Sequence, residues 1–211
     1  MYRIGSGYFR RSAAPLLLLT CLLLTCLLLA ACTTTAQDVA VEGAVAKPER
    51  VYSVGDTGPA GGLVFYDKGE RSEGWRFMEV APAATQMPLQ WGALGSEVPG
   101  TSAEIGTGKA NTALIVAMLD SLGERGRAAQ YCDALNVNGY TDWFLPSRLE
   151  LDQLYWQLGF KGLGEFLGLG QGYWSSTEFD SEKAWGQGFS AGVKGRIEKS
   201  DIFLVRAVRV F

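Results

Sequence analysis

The chain has 211 residues but no histidine, only four cysteines, and charged side chains at just 19% of positions. Without histidine there is no Ser-His-Asp triad, no Cys-His pair and no histidine-ligated zinc within one chain. A net charge of −3 gives no basic footprint, which excludes nucleic acid as the expected partner. No fixed-period repeat is present. What the sequence does hold is 47% hydrophobic residues and 27 glycines, both unevenly distributed. The apolar excess is concentrated between Ala13 and Ala31.

Arg3, Arg10 and Arg11 precede that run, and small residues close it. A basic start, an apolar middle and a small-residue end are the pattern of a secretory signal peptide. A membrane-spanning helix is the alternative, since about 20 apolar residues can cross a bilayer. Leu29-Ala30-Ala31-Cys32 resembles a bacterial lipobox. The resemblance implies cleavage after Ala31, a diacylglycerol on Cys32 and acylation of the new terminus. Each buried methylene then contributes about 0.8 kcal/mol to membrane anchoring. The expected organisation is a leader at 1–31, a tether at 32–50 and a domain at 51–211. Cleavage removes three arginines and no acid, so the net charge moves from −3 to −6. It also removes Cys21 and Cys26, leaving the lipid-bearing Cys32 and Cys132, so no intrachain disulfide is expected.

Segment 33–50 is small and polar without aromatics, as suits a flexible tether. All six tryptophans lie beyond Val51. Gly62–Tyr66 and Trp75–Val80 are aromatic and β-branched runs bounded by glycine or polar residues, hence strands, with a turn expected at Asp67–Glu70. Gln86–Gly106 is rich in glycine and proline and is read as an irregular loop. Lys109–Ser121 and Gly126–Leu135 are read as helices, the second with Ala128, Cys132 and Leu135 on one face. Ser147 and Glu150 form a capping-box pattern before Leu151, Leu154, Tyr155 and Leu158. Tyr173–Ser176, Ala184–Phe189 and Phe203–Phe211 are strand candidates, with a bulge expected between Ala207 and Val208.

Few segments carry chemistry. Gly106-Thr107-Gly108-Lys109 suggests a phosphate loop but has Ala103 and Ala110 where glycine and a hydroxyl residue are required. The glycines from Gly162 to Gly172 lack dinucleotide-loop spacing and read as a connection or a mobile loop over a site. Cys132 sits on an apolar helix face beside Asp133, a setting for a structural thiol rather than a nucleophile. Glu178, Asp180 and Glu182 alternate as calcium-binding segments do, but without EF-hand spacing, and a solvated acidic loop is the favoured reading. Trp91, Trp143, Trp174 and Trp185, with Tyr140 and Tyr173, fall near loops, where flat faces suit sugar or peptide recognition. Each also fits a core position.

Several phrases occur in order: Gly55–Tyr66, Tyr131-Cys132, Gly139–Ser147 with Glu150-Leu151, Tyr173–Glu178 and Val205–Arg209. This set resembles the Lcl C-terminal domain family. The resemblance implies an α+β, C-type-lectin-like domain with two to three helices, a small twisted, mostly antiparallel sheet and long loops that carry any site. Some members act as adhesins for sulfated polysaccharides, and the fold resembles sulfatase-modifying domains, whose activity depends on cysteines near the carboxyl end. No cysteine follows Cys132 here.

The expectation is a bacterial envelope lipoprotein, not an enzyme, lipid-anchored to the outer membrane or cell surface and needing no cofactor or metal. It displays a lectin-like domain for a glycan or protein ligand, recognised around Trp143, Trp174, Thr177 and Glu178. Two alternatives stand beside it, a carboxylate- or metal-dependent envelope enzyme and a ligand-free structural protein.

Overall fold

The chain enters its folded part at a hairpin of β1 (Leu63–Ser72) and β2 (Trp75–Val80). The computed structural model describes residues 50–167 and 172–211. The leader, the lipobox with Cys32 and the tether up to residue 49 lie outside the described residues, as do Gly168 and Gly170. Asp67–Glu70 is not the turn. Arg76 on β2 donates two hydrogen bonds to Asp67, at 2.8 and 2.9 Å, which keep β1 paired beyond that point. Gly69, with φ +92°, absorbs the strand irregularity between Asp67 and Ser72, and the reversal falls at Glu73–Gly74.

After a 3-10 turn (Ala83–Thr85), β3 (Met87–Gln90) interrupts the expected loop by pairing antiparallel with β7 (Ile202–Val205). Three helices follow: α1 (Gly108–Ser121), α2 (Ala128–Asp133) and α3 (Arg148–Leu154), which widens into a π-helical turn at Tyr155–Gly159. The capping box is present, with Ser147 Oγ accepting from the Glu150 N–H and the Glu150 carboxylate accepting from the Ser147 N–H. β4 (Gly172–Glu178), β5 (Lys183–Gly188), β6 (Lys194–Glu198), β7 and β8 (Val208–Val210) complete the α+β architecture.

The strands divide into two sheets, ordered β1-β2-β8 and β3-β7-β4-β5-β6, with β4–β7 the parallel pairing. The irregularity expected near Ala207 is a change of sheet rather than a bulge. Val205 pairs with Met87 in the larger sheet, whereas Val208 pairs with Val80 in the smaller one. The two residues between them carry the chain across.

Two apolar clusters follow from the alternation of side chains along the central strands. Trp174 packs with Trp91, Trp143, Ile115, Leu119 and Cys132, towards α1 and α2. Its neighbour Tyr173 packs with Phe65, Met78, Leu151, Leu158 and Phe189, towards α3 and the smaller sheet. β4 is therefore covered on both faces, and six of its seven residues are buried.

Candidate functional site

Of the four residues expected to contact a ligand, two fill the core. Trp143 is 2% exposed and Trp174 is 0% exposed. The Trp174 indole N–H donates to the Leu89 carbonyl at 2.9 Å, and that of Trp143 to the Tyr140 carbonyl at 3.0 Å. Buried indoles normally meet their polar requirement in this way. Thr177 is buried as well. Its hydroxyl donates to the Ser102 carbonyl and accepts from the Arg148 N–H, each at 3.0 Å, so it fixes the start of α3. Glu178 accepts from Lys199 at 2.6 Å and from the Val98 N–H at 2.9 Å, tying the loop before α1 to the larger sheet. Lys199 is fully buried and its ammonium also donates to the Ala93 and Ser96 carbonyls. Asp180 accepts from the backbone of Glu182 and Lys183 in a local turn. Among the described residues no group of three or more Cys, Asp or Glu is placed to hold a metal ion.

The recurring sequence phrases meet in buried polar networks. Glu79, fully buried, accepts from the Ala60 and Gly62 N–H groups and from Arg209 at 2.7 Å. Arg209 also grips Asp142 with two bonds, at 2.7 and 2.9 Å, and stacks 4.2 Å from the Tyr140 ring. Burial alone would raise the Asp142 carboxyl, but the Arg209 bonds and charge outweigh it and hold the group below its ordinary value. Gly62 is required here because a Cβ would lie 2.0 Å from the Val80 carbonyl oxygen. A second network centres on Glu150, which accepts from the Gly106, Gly108 and Ser147 N–H groups with no cation beside it. Burial pushes its pKa up to about 6, against the pull of those backbone bonds. Burial also drives the Cys132 thiol far above its ordinary value, leaving it an inert core group. These carboxylates and this thiol are occupied in holding segments together.

The surface of the larger sheet differs. On paired strands β5 and β6, Trp185 lies opposite Arg196, flanked by the pairs Lys183–Glu198 and Gln187–Lys194. A period of two places all six on one face. The Arg196 guanidinium sits 4.1 Å from the Phe179 ring and 5.5 Å from the Trp185 ring. Arg148, from the first turn of α3, sits 4.7 Å from the Trp185 ring. The two rings meet edge to face at 5.8 Å. Lys183 and Lys194 are paired with Glu198 at 3.4 Å and Asp152 at 2.7 Å. Arg148 and Arg196 have no carboxylate partner among the described residues. Phe179 is 42% exposed, Arg196 is exposed and Trp185 is half-buried. An aromatic ring beside two guanidinium groups that form no ion pair among the described residues can accept the apolar face of a sugar together with a carboxylate or sulfate.

Sequence reasoning placed Trp185 among the aromatic candidates but missed Phe179, Arg148 and Arg196. The signal available was the two-residue alternation Lys183/Trp185/Gln187 and Lys194/Arg196/Glu198. β6 itself went unread because Gly195 and neighbouring turn residues disguise it.

The fold is an α+β domain that carries a partly exposed aromatic–guanidinium face on its larger sheet. Residues 85–209 match the Lcl C-terminal domain, and the chain belongs to that family. The opening phrase, Gly55–Tyr66, precedes the matched residues. No curated protein matches the chain. Among solved structures, a fimbrial protein from Bacteroides ovatus is similar at 16% identity and a TM-score of 0.44, covering 64% of this chain. The similarity spans 35% of that protein's length.

Proposed function

We propose that the protein is a bacterial envelope lipoprotein, held by Cys32 and displaying at the cell surface a domain that binds an anionic glycan. Family membership and the lipobox support surface display. The observation that carries the binding reading is the Trp185 face, where two guanidinium groups without carboxylate partners lie against adjoining aromatic rings. The pyranose ring presents its C–H face to Trp185, with the near-perpendicular Phe179 ring beside it, and its carboxylate or sulfate bridges Arg148 and Arg196. The overall acidity of the chain does not oppose this, because Arg148 and Arg196 on this face have no carboxylate partner among the described residues. Binding is favoured over catalysis because Glu79 and Glu150 are committed to backbone N–H groups and Cys132 is sealed in the core.

A glycan array probed with the wild-type chain and with Trp185→Ala tests the proposal. Sulfated or uronic-acid glycans are expected to bind the wild type and to be lost in the variant, which stays folded although loss of the half-buried ring lowers its melting temperature. Silence across the array, or binding indifferent to Trp185→Ala, refutes it.

A further inference from the structure

A second surface, apolar, follows α3, one turn beyond the Asp152 that bonds Lys194 and Gln187 of the glycan face. The π-helical turn after α3 buries Tyr155 and Leu158 and turns Trp156 outward. Trp156 is 49% exposed, Phe160 is 66% exposed and Leu163 is 43% exposed. The wide turn is closed by a bond from the Phe160 N–H to the Tyr155 carbonyl at 2.7 Å, and it sets the Trp156 and Phe160 rings 5.2 Å apart. Leu163 is fastened to the same turn through a bond from its N–H to the Leu158 carbonyl at 2.9 Å. Single exposed apolar residues are ordinary on a surface, but an exposed Trp and Phe in contact, with a leucine one turn on, are not.

The place of this ridge in the chain bears on what could cover it. A methyl of Leu163 lies beside Gly55, where an added Cβ would be only 3.7 Å away. Val51 and Val54, just before Gly55, are 65% and 38% exposed. The ridge thus adjoins the point where the polypeptide arrives from Cys32. Segment 33–50 spans at most about 60 Å even when fully extended. Lys161, between Phe160 and Leu163, gives its ammonium to the Gln157 side chain at 3.0 Å and has no carboxylate partner among the described residues. Arg50 stacks on Tyr52 at 4.6 Å and is likewise without one. Glu165 is the exposed acid at the far end of the turn. Tryptophan and phenylalanine beside lysine form the composition that settles at the headgroup level of a bilayer.

We propose that the Trp156–Phe160–Leu163 ridge rests in the interfacial layer of the anionic phospholipid membrane that holds the lipid anchor, so that the domain is oriented by its own surface as well as tethered. The inference rests on the lipoprotein reading above. The aromatic rings enter at headgroup depth while Lys161 and Arg50 meet lipid phosphates.

The full chain, reconstituted into phosphatidylethanolamine–phosphatidylglycerol vesicles with brominated acyl chains, tests it through quenching of tryptophan emission. Detergent phase partition of the same preparation reports the anchor separately. The expected result is a chain that partitions into detergent and is quenched by brominated lipid. Quenching should fall at least by half in Trp156→Phe, because Trp75, Trp91, Trp143 and Trp174 are buried. Phe160→Gln/Leu163→Gln keeps the Trp156 reporter and should reduce quenching through loss of the seat. An anchored chain whose emission ignores bromination overturns the ridge while leaving the anchor standing, and points to a protein as the occupant. A chain that stays in the aqueous phase overturns the anchor and the proposal with it.

Discussion

Replacing Arg209 with Met tests whether the buried triad holds the family phrases together. The substitution keeps most of the side-chain volume but removes both bonds to Asp142 and the 2.7 Å bond to Glu79. Glu79 is then a fully buried carboxylate left with the Ala60 and Gly62 N–H groups, at 3.2 and 3.3 Å. Breaking one side of a buried ion pair costs about 3–5 kcal/mol, chiefly through the stranded charge. Folded domains hold only about 5–15 kcal/mol in all. In urea, with a slope of about 2 kcal/mol per molar, the midpoint should fall by roughly 1.5–2.5 M. Glu79→Gln/Arg209→Met removes both charges, so its loss should undershoot the sum of the two single variants by at least about 1.5 kcal/mol. Unfolding followed by tryptophan emission provides all three values. A loss below about 1 kcal/mol for Arg209→Met, with an additive double variant, would refute the reasoning.

Glu150 makes stability depend on pH in the direction opposite to the usual carboxylate. Its folded pKa, about 6, exceeds its ordinary 4.5, so the folded state takes up the proton first. Relative to Glu150→Gln, the wild type should gain up to roughly 2 kcal/mol as pH falls from about 6 to 4.5; a flat difference in urea midpoints across that window counts against it. Gly188→Ala should be neutral or stabilising by about 0.5–1 kcal/mol, since its Cβ would make only an ordinary 3.8 Å contact with Val193 O. A drop in melting temperature would contradict this. Cys132, fully buried with its thiol pKa raised, should resist iodoacetamide until the domain unfolds, and rapid labelling under native conditions would show otherwise.

The elements were legible wherever one periodicity dominated. The Ser147–Glu150 cap, the helical face of Leu151 and Leu154, and the β4 run all stand out locally. Expectations failed where a distant partner decided the outcome. Asp67–Glu70 has turn composition, yet Arg76 on the next strand holds it extended. Met87–Gln90 contains a proline and reads as loop, but it gains a ladder from β7 as an edge strand, where a proline is tolerated. Trp143 and Trp174 were indistinguishable from surface aromatics in the sequence because their coverage comes from helices far along the chain. The Arg148–Trp185–Arg196 grouping draws on α3, β5 and β6, and only strand register brings it together. β6, with Ile197 as its one large apolar residue, gave no apolar alternation to read.

The proposed binding of an anionic glycan rests on the two guanidinium groups of the Trp185 face that lack carboxylate partners among the described residues. Calorimetric titration of an array-positive sulfated glycan into the wild type and into Arg148→Gln/Arg196→Gln tests it most directly. Charge-assisted hydrogen bonds contribute about 1.5–3 kcal/mol each, so the double variant should bind at least about tenfold more weakly. Its melting temperature should fall by only a few degrees, because neither guanidinium forms an ion pair within the described fold and the lost cation–π contacts are worth about 0.5–1 kcal/mol each. Equal affinity in wild type and variant would contradict the claim.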